Sequence, residues 1–378
     1  MRVQVVDPSA FTPPYDHALC AALARTGTEV ELVTSRFAYG TVPAAEGFTV
    51  RELFYRHARG APGSRARTVT KLIEHVPDML RYRRVAAHAD VVHFQWLTVQ
   101  PLDVHLLPRR PLVLTAHDLL PREPRPGQAA AQRRLYDRVD AVVVHSGFGR
   151  RQLLELAGVD ADKVHVIHHG AFEHLTHQPD EVGLDPELAA VELPVVMFFG
   201  LLRPYKGVDV LLEAWRGITG AELWIVGRPR MEIESLRAAA PANVRFVSRF
   251  VGDAELPAFF RRADIVALPY KRTERFDQSG VLSTVLAFGR PALVSDIGGI
   301  GELAELGAVE LMPPDDPAAV HAALVRLIGD PAGRDRRVAR HRAPAGSDHT
   351  RRAHRVRCCL LRGHGRVVCR ASRREKCS

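Results

Sequence analysis

The sequence predicts an α/β protein built from two Rossmann-like, doubly wound domains that face each other across a cleft. Short apolar runs alternate with amphipathic stretches along most of the chain, which is typical of parallel sheets covered by helices. A polar stretch at 173–192 interrupts this alternation once, near the middle of the chain. Because the chain has 378 residues, each half is long enough to bury a core of its own.

The first half contains six predicted strands. They are Arg2–Val6, Glu29–Thr34, Val91–Phe94, Leu112–Thr115, Ala141–His145 and Val164–His168. Between the first two lies the amphipathic stretch His17–Thr26, which ends at Gly27. A strand, a helix and a second strand over so few residues form the opening unit of a Rossmann-like domain, so we place the N-terminal domain at 1–175.

The second half repeats this organisation after the polar stretch, which contains Pro179, Gly183 and Pro186 and is predicted to be the interdomain linker. Its predicted strands are Val195–Gly200, Glu222–Val226, Val244–Val247, Ile265–Pro269, Ala292–Ser295 and Glu310–Met312. We place the C-terminal domain at 190–332. The ligand crevice is expected between the two domains, at the carboxyl ends of both sets of strands.

The net charge of +9 is concentrated in the tail, residues 334–378, which hold 15 Lys and Arg against 3 Asp and Glu. The first 333 residues hold 37 basic and 40 acidic residues, so their charge does not favour a nucleic-acid partner, and none is expected. Of the five cysteines only Cys20 lies outside the tail, which favours a reducing compartment. The tail cysteines lack the paired spacing of a zinc site.

No segment of the sequence is predicted to cross a membrane. The longest apolar run, Leu193–Leu202, is too short for a membrane span and is predicted to be a buried strand. The first residues, Met1–Ala10, lead directly into a strand pattern without a signal segment. We therefore expect a cytoplasmic protein, with peripheral contact at the inner membrane face as an option.

The strongest motif is Gly200–Gly207, which follows a predicted strand and precedes a predicted helix. Arg203 and Lys206 place two cations three residues apart in this turn. A guanidinium, an ammonium and a helix N-terminus together suit a diphosphate, so the motif predicts an anion site, with a solvated basic turn as the alternative. A second turn, Gln278–Val281, also precedes a helical stretch and could present backbone N–H groups to a second phosphate.

His117 and Asp118 follow the predicted strand Leu112–Thr115, at the edge where α/β domains keep their sites. We predict a functional role for His117, with a core histidine bonded to a backbone carbonyl as the alternative. Ser146 is predicted to cap the following helix. The adjacent His168 and His169 face opposite sides of their strand, so a shared metal ion is not expected. The glycine-rich loop Asp296–Glu302 allows close approach to a ligand, but is weak evidence by itself.

Together these motifs resemble the family 4, "group 1" glycosyltransferases of the retaining GT-B type. The resemblance runs from about Val3 to about Ile328. Its most specific parts are the segment around His117, VVVHSGFGRRQLLELAGVDADKVHVIHHG, GLLRPYKGVDVLLEAW and FGRPALVSDIGGIGEL.

The resemblance implies transfer of a sugar from a nucleoside diphosphate sugar to an acceptor hydroxyl, with retention, without a cofactor and without a required metal. It implies catalytic roles for His117 beside the donor sugar and for Arg203 and Lys206 at the diphosphate, where they stabilise the leaving group electrostatically. The other implied donor-side residues are Gly200, Arg249, Phe250, Val251, Asp277, Ser279, Gly280, Val281 and Thr284. On the acceptor side we place Tyr15, His17 and Asp118. The implied acceptor is a sugar, a lipid-linked molecule or a small molecule, used in polysaccharide or glycoconjugate synthesis.

The sequence departs from the family pattern at two places. The family commonly has two glutamates eight positions apart, where this chain has Phe276 and Thr284, and Asp277 is a candidate substitute for one of them. The family often has a Gly-Gly turn near the donor phosphate, where this chain has Thr12-Pro13-Pro14-Tyr15. Since proline lacks an N–H donor, this loop is expected to handle its ligand differently.

The tail departs from the fold, because it has no aromatic residue and no apolar periodicity. We hypothesise that a reading-frame change replaced the native C-terminus, with an authentic basic tail that binds anionic lipid or nucleic acid as the alternative. Three other functions remain open: a nucleotide-sugar epimerase, a phosphorylase, and a catalytically impaired sugar-nucleotide-binding protein.

Overall fold

The computed structural model describes residues 1–40, 42–119, 127–170, 172, 175–176, 182–273, 278–304 and 309–333. Within these residues the chain forms two parallel sheets with helices packed against them. The tail 334–378, Asp277 and part of the predicted linker lie outside the described residues.

The N-terminal sheet has seven strands in the order β3-β2-β1-β4-β5-β6-β7. They are β1 (Arg2–Asp7), β2 (Glu29–Ser35), β3 (Thr49–Phe54), β4 (Val91–Phe94), β5 (Leu112–Thr115), β6 (Ala141–Val144) and β7 (Val164–Val166). Its helices are α1 (Pro13–Arg25), α2 (Arg65–Val85), α3 (Gln100–Leu106), α4 (Gln128–Arg138) and α5 (Gly147–Ala157). The strands β4, β5 and β6 are buried throughout, as expected for a sheet covered by helices on both faces.

The C-terminal sheet has six strands in the order β10-β9-β8-β11-β12-β13. They are β8 (Val195–Phe199), β9 (Glu222–Val226), β10 (Val244–Val247), β11 (Ile265–Leu268), β12 (Ala292–Ser295) and β13 (Val309–Met312). The helices are α6 (Pro186–Ala189), α7 (Val208–Ala214), α8 (Glu234–Ala239), α9 (Leu256–Arg262), α10 (Gly280–Ala287), α11 (Gly301–Ala304) and α12 (Pro317–Gly329). The apolar cores on the two faces of this sheet contain the buried Trp215 and Trp224.

These two sheets confirm the predicted fold class, and one strand is an addition. The strand β3 was not predicted because it is an edge strand whose first four residues are exposed, so it lacks a continuous apolar run. The strand order reverses between β1 and β4 in the first sheet and between β8 and β11 in the second. In open α/β sheets the ligand crevice lies at the carboxyl ends of the strands on either side of such a reversal.

The two domains contact each other through polar side chains. The Glu302 carboxylate accepts hydrogen bonds from the backbone N–H of Gly147 (2.9 Å) and of Phe148 (2.8 Å), at the start of α5. Ser283 Oγ lies 2.8 Å from His169 Nδ1. No helix among the described residues is both long and apolar enough to cross a membrane.

Candidate active site

The Gly200–Gly207 turn leaves the carboxyl end of β8 and reaches the loop that follows β11. Gly207 has φ +69°, and a Cβ atom at this position would lie 1.8 Å from the carbonyl oxygen of Pro269. Gly200 has φ +125°, and a Cβ atom there would lie 3.1 Å from Val281 Cγ2. Both positions therefore need glycine, and the close approach brings the turn against the start of α10.

Lys206 is buried, with 7% of its surface exposed. Its Nζ donates a hydrogen bond of 2.9 Å to Tyr270 Oη and lies 4.0 Å from the centre of that ring. Tyr270 Oη lies 2.9 Å from Ser279 Oγ, which accepts from the backbone N–H of Leu282 at 3.3 Å and so caps α10. This network joins the two motifs that the sequence indicated separately.

Tyr270 is the residue that sequence reasoning missed on this side of the cleft. Its position two residues after β11, at the carboxyl end of a strand, was the available signal. Arg203 is half-buried, and its guanidinium makes no hydrogen bond or ion pair with any described residue. It is therefore available to an anion in the cleft.

The start of α10 faces the same space. Gly280 and Val281 are its first residues, and the first N–H groups of a helix have no partner within the helix. The loop before them is fixed because Gln278 Nε2 donates to the Gly299 carbonyl at 2.8 Å. Lys206 and the start of α10 are joined through Tyr270 and Ser279, and Arg203 lies three residues before Lys206 in the same turn. An Arg and a Lys in one turn beside a helix N-terminus suit a diphosphate.

His117 lies across the cleft, after β5, between two aromatic rings. Trp96 stacks on it at 4.8 Å with an interplanar angle of 11°, and Tyr15 meets it edge-on at 4.9 Å. Its Nε2 lies 3.1 Å from Gln95 Oε1. Burial, and after it the neighbouring His145, His169 and His93, lower the pKa of His117 well below the usual range. The imidazole is therefore neutral at pH 7, and its Nε2 donates to the amide oxygen.

Two further histidines complete this cluster. His145 follows β6 and His169 follows β7, and the Tyr15 ring lies 5.5 Å and 5.0 Å from their rings. His145 Nδ1 lies 2.9 Å from the Ile167 carbonyl. Trp96, His145 and His169 were not predicted as site residues. What they share is a position within three residues of the end of a parallel strand. Since residues follow every strand, this position does not distinguish site residues from others.

A buried carboxyl pair supports the loop before α1, the helix that carries Tyr15 in its first turn. The Asp7 carboxylate accepts from the backbone N–H of Phe11 (2.6 Å) and of Thr12 (3.2 Å). Burial raises the pKa of Asp7, and burial together with the Asp7 charge raises the pKa of Asp16 still further above the usual value. Asp7 and Asp16 are hydrogen-bonded to each other, and two buried carboxyl groups in contact retain a proton between them.

Not every predicted site residue joins the cleft in the same way. His17 packs against Phe48 at 5.3 Å, since positions 15 and 17 of a helix point in nearly opposite directions, and it does not join Tyr15 at His117. Thr284 is buried, and its Oγ1 donates to the Gly280 carbonyl at 3.1 Å. Asp118 lies beside His117, and its carbonyl accepts a 3.4 Å hydrogen bond from Gln132 Nε2.

The segment Arg249–Val251, which the resemblance places on the donor side, presents one exposed ring. Phe250 is 43% exposed and lies 5.8 Å from the ring of Tyr39 in the other domain. Arg249 is bound to Glu255 through two hydrogen bonds of 2.6 and 2.8 Å, so its guanidinium is already occupied. Val251 is buried in the core, which leaves only its backbone to face a ligand.

The predicted cap of α5 is present. Ser146 caps this helix because its Oγ accepts from the Gly149 N–H at 2.8 Å. Within the described part of the chain, no three His, Cys, Asp or Glu side chains are grouped so that they could hold a metal ion.

Comparison with known proteins gives the same class for both halves. Residues 15–171 match the model of Glycosyltransferase Family 4, and residues 193–330 match that of Glycosyl transferases group 1. The D-inositol 3-phosphate glycosyltransferase of Nocardia farcinica is 29% identical over 344 residues, which cover 82% of this chain and 74% of the relative. Its counterpart in Mycobacterium tuberculosis strain F11 is 27% identical over 367 residues, covering 87% and 74%.

Solved structures share the fold at low sequence identity. Sucrose-phosphate synthase from Thermosynechococcus elongatus has a TM-score of 0.72 and 18% identity, and the match covers 96% of this chain and 98% of that one. Anabaena HepE in complex with UDP-glucose has a TM-score of 0.70 and 18% identity, covering 95% and 100%.

The two parallel-sheet domains give the chain the GT-B fold of these solved structures. The chain belongs to the family 4, group 1 glycosyltransferases, which confirms the resemblance drawn from its motifs.

Proposed function

We propose that this enzyme transfers a sugar from a nucleoside diphosphate sugar to a hydroxyl of a phosphorylated small molecule or lipid-linked acceptor, with retention of the anomeric configuration. The observation that carries this proposal is the network that joins Lys206, in the turn that also carries Arg203, to the start of α10, with the neutral His117 across the cleft. A uridine diphosphate sugar is the first donor to test, because HepE is in complex with UDP and with UDP-glucose in its solved structures.

The proposed chemistry is carried by charge and position. The bond between the anomeric carbon and the diphosphate oxygen breaks, and its electron pair goes to that oxygen. Arg203, Lys206 and the N–H groups of Gly280 and Val281 stabilise the growing negative charge. The acceptor oxygen bonds to the anomeric carbon and releases its proton to the departing phosphate. A neutral His117 can hydrogen-bond the donor sugar without adding positive charge beside it.

Retention and the independence from metal and cofactors rest on the family resemblance and remain part of this proposal. The acceptor class is suggested by the relatives, whose names specify D-inositol 3-phosphate. A polysaccharide or glycoconjugate product is also compatible with the cleft.

Turnover tests the proposal directly. We expect UDP-glucose and D-inositol 3-phosphate to yield free UDP and a glycoside whose anomeric proton has the small NMR coupling of an α linkage. Lys206→Ala should lower kcat by about 100-fold or more, since one preorganised donor at a developing charge contributes about 3 kcal/mol. The matched control is Lys271→Ala, because Lys271 lies in the same domain and pairs with Asp209 at 2.6 Å on the surface.

The outcomes separate the alternatives. A β-linked product would refute retention, and release of UDP-bound epimer without transfer would favour the epimerase alternative. Binding of UDP without turnover of any nucleotide sugar would favour the impaired binding protein. That alternative has one supporting observation, since Thr284 offers its hydroxyl to the Gly280 carbonyl where the family commonly has a carboxylate.

We further propose that α2 attaches the enzyme to an anionic membrane surface on the cytoplasmic side. Val69, Leu72 and Ile73 are 56%, 55% and 70% exposed, and with Leu80 they lie along one side of α2. Arg65 and Arg84 lie at the two ends of this apolar stripe. Apolar side chains flanked by arginines suit a surface of anionic lipid.

Co-sedimentation with vesicles tests this attachment. The chain should sediment with phosphatidylglycerol vesicles at low salt, and Leu72→Ser combined with Ile73→Ser should weaken that binding. Val325→Ser is the control, because Val325 is 50% exposed in the other domain. Equal sedimentation of the stripe variant and the control would refute the proposal.

A further inference from the structure

A second buried polar network lies in the N-terminal domain, apart from His117. Tyr55 Oη lies 2.7 Å from His75 Nδ1, and His75 Nε2 lies 2.6 Å from Asp103 Oδ1. All three side chains are buried. Since the carboxylate can only accept, the imidazole donates from Nε2 and accepts from the tyrosine hydroxyl at Nδ1. Burial raises the pKa of Tyr55 to about 12, so its hydroxyl stays protonated.

The backbone at Tyr55 is held in an uncommon conformation. Tyr55 follows β3 with φ +54°, and its N–H donates to Asp78 Oδ2 at 2.7 Å. A non-glycine residue in the left-handed region costs free energy and persists where its surroundings fix it. The ring is thus fixed by its backbone, its hydroxyl and the helix α2.

Lys71 lies over this fixed ring. Its Nζ is 4.8 Å from the centre of the Tyr55 ring. The side chain is half-buried, and within the described ranges it forms no hydrogen bond or ion pair. Burial, and to a smaller extent the charge of Arg67, lower the pKa of Lys71, and Asp7 only partly opposes them. A partly desolvated ammonium with no counter-charge in direct contact is costly unless a ligand supplies one.

The surroundings of Lys71 face the cleft. Ser9 follows β1 and Thr98 follows β4, and their hydroxyl oxygens lie 3.1 Å apart and next to the Tyr55 hydroxyl. Thr98 is two residues from Trp96, which stacks on His117. A wall of side chains therefore follows the carboxyl ends of the neighbouring strands β5, β4 and β1, starting at the neutral histidine. Tyr55, which follows β3, reaches this wall across the intervening strand β2 through the contact of its hydroxyl with Ser9 and Thr98, and it carries the unpaired ammonium on its ring.

We propose that Lys71, together with the hydroxyl groups of Ser9 and Thr98, binds a phosphate group of the acceptor and so determines acceptor specificity. This inference rests on the proposed transferase function. A phosphate supplies the missing counter-charge and acceptors for both hydroxyls. The fixed Tyr55 ring holds the ammonium in place, and the hydroxyl of the acceptor then extends along the wall toward His117.

Titration calorimetry with the full-length chain tests the site. The probes are D-inositol 3-phosphate and inositol, each with and without UDP. We expect the phosphorylated probe to bind and inositol to bind at least about tenfold more weakly, because a hydrogen-bonded charge pair contributes about 1.5–3 kcal/mol. Lys71→Met should weaken binding of the phosphorylated probe by about tenfold, and Lys71→Arg should restore most of it.

The control variant is Lys163→Met. Lys163 lies in the same domain, and its Nζ donates to the carbonyl oxygens of Asp137 and Val139. A second arm uses phosphatidylcholine vesicles with and without phosphatidic acid, which distinguishes a lipid phosphate from a soluble one. Dependence on Lys71 in either arm supports the inference.

The result that overturns the inference is equal phosphate binding by native chain and Lys71→Met in both arms, or no preference for a phosphorylated probe. If UDP binds in that same experiment, only the acceptor inference fails. If UDP does not bind although the phosphorylated probe binds through Lys71, the donor proposal fails and the Lys71 site stands as an anion site.

Discussion

On the C-terminal side of the cleft, the ligand-facing groups are positioned by the close packing of a glycine-containing turn against neighbouring backbone. On the N-terminal side, they are positioned by buried polar side chains. Gly200 and Gly207 let a turn pack against the loops after β11 and before α10, and Lys206 and Tyr270 lie at that contact. Across the cleft, Asp7 and Asp16 support a loop and a stack of rings holds His117. The C-terminal side should therefore be destabilised by side-chain atoms added at its glycines. The N-terminal side should be destabilised by a change in the protonation of its buried groups.

The largest expected effect is that of Gly207→Ala. The new Cβ would lie 1.8 Å from the Pro269 carbonyl oxygen, so the turn or the loop must move. We expect a loss of more than about 2 kcal/mol in the free energy of unfolding by urea. Gly217→Ala is the matched control, because Gly217 has φ +80° with open space around it, and it should cost about 1 kcal/mol. Equal losses would contradict the close-packing account.

The next effect is acid destabilisation of the N-terminal domain through His93. Burial lowers the pKa of His93 to about 3, and its Nε2 lies 2.8 Å from Thr115 Oγ1. Because the folded pKa lies below the unfolded value, the stabilisation is present above about pH 6.5 and is lost as pH falls toward 3. His93→Gln should flatten this part of the pH dependence of unfolding. An unchanged slope between pH 6 and 4 would refute the assignment.

Asp16 should act in the opposite direction. Its pKa is raised, so its stabilising protonation is complete below the ordinary carboxyl range and is lost as pH rises through the folded pKa. Asp16→Asn keeps the side chain neutral at every pH. Its melting temperature relative to the native chain should therefore rise from acid to neutral pH. A constant difference across that range would show that Asp16 is ionised in the folded protein.

A smaller effect is expected at the contact between the domains. Glu302→Gln replaces a carboxylate that accepts from two N–H groups at the start of α5. We expect a cost of about 1 kcal/mol to the closed arrangement, visible as a larger radius of gyration in X-ray scattering. Glu232→Gln serves as the control, since the hydrogen bonds that Glu232 accepts among the described residues come from Glu234 and Ser235 of its own domain. Identical scattering from both variants would show that the Glu302 hydrogen bonds do not stabilise the closed arrangement.

The smallest effect is the one expected from metal chelation. If Arg203 and Lys206 carry the leaving-group charge, transfer rates should be the same with and without EDTA. Loss of activity in EDTA that magnesium restores would show that these cations are not sufficient.

The two sides also differ in how far the sequence could specify them. The donor motif could be predicted from the sequence because Arg203, Lys206 and their two glycines lie within eight consecutive residues, between a strand and a helix. The histidine cluster was only partly predictable from the sequence, because its residues come from four separate parts of the chain: Tyr15 from the start of α1, and Trp96, His145 and His169 from the loops after β4, β6 and β7. Their association depends on strand order, which local patterns do not determine.

Single residues show the same limit. His17 was grouped with Tyr15 by sequence proximity, yet helical geometry turns it toward Phe48. The network of Tyr55, His75 and Asp103 joins the end of β3 to α2 and α3. The strand β3 was not predicted, because its first four residues are exposed at the edge of the sheet. Lys71 was not predicted as a site residue, because lysines are common on helices. Its position over the Tyr55 ring is visible only in the structure.

The most direct measurement of the central claim is calorimetric titration of UDP into the native chain and into Arg203→Ala, Lys206→Ala and Lys271→Ala. The account predicts that the native chain and Lys271→Ala bind UDP alike, and that the other two variants bind at least about tenfold more weakly, since each loses a charged hydrogen bond to the diphosphate. Equal affinity in all four proteins would contradict the assignment of the diphosphate to this turn.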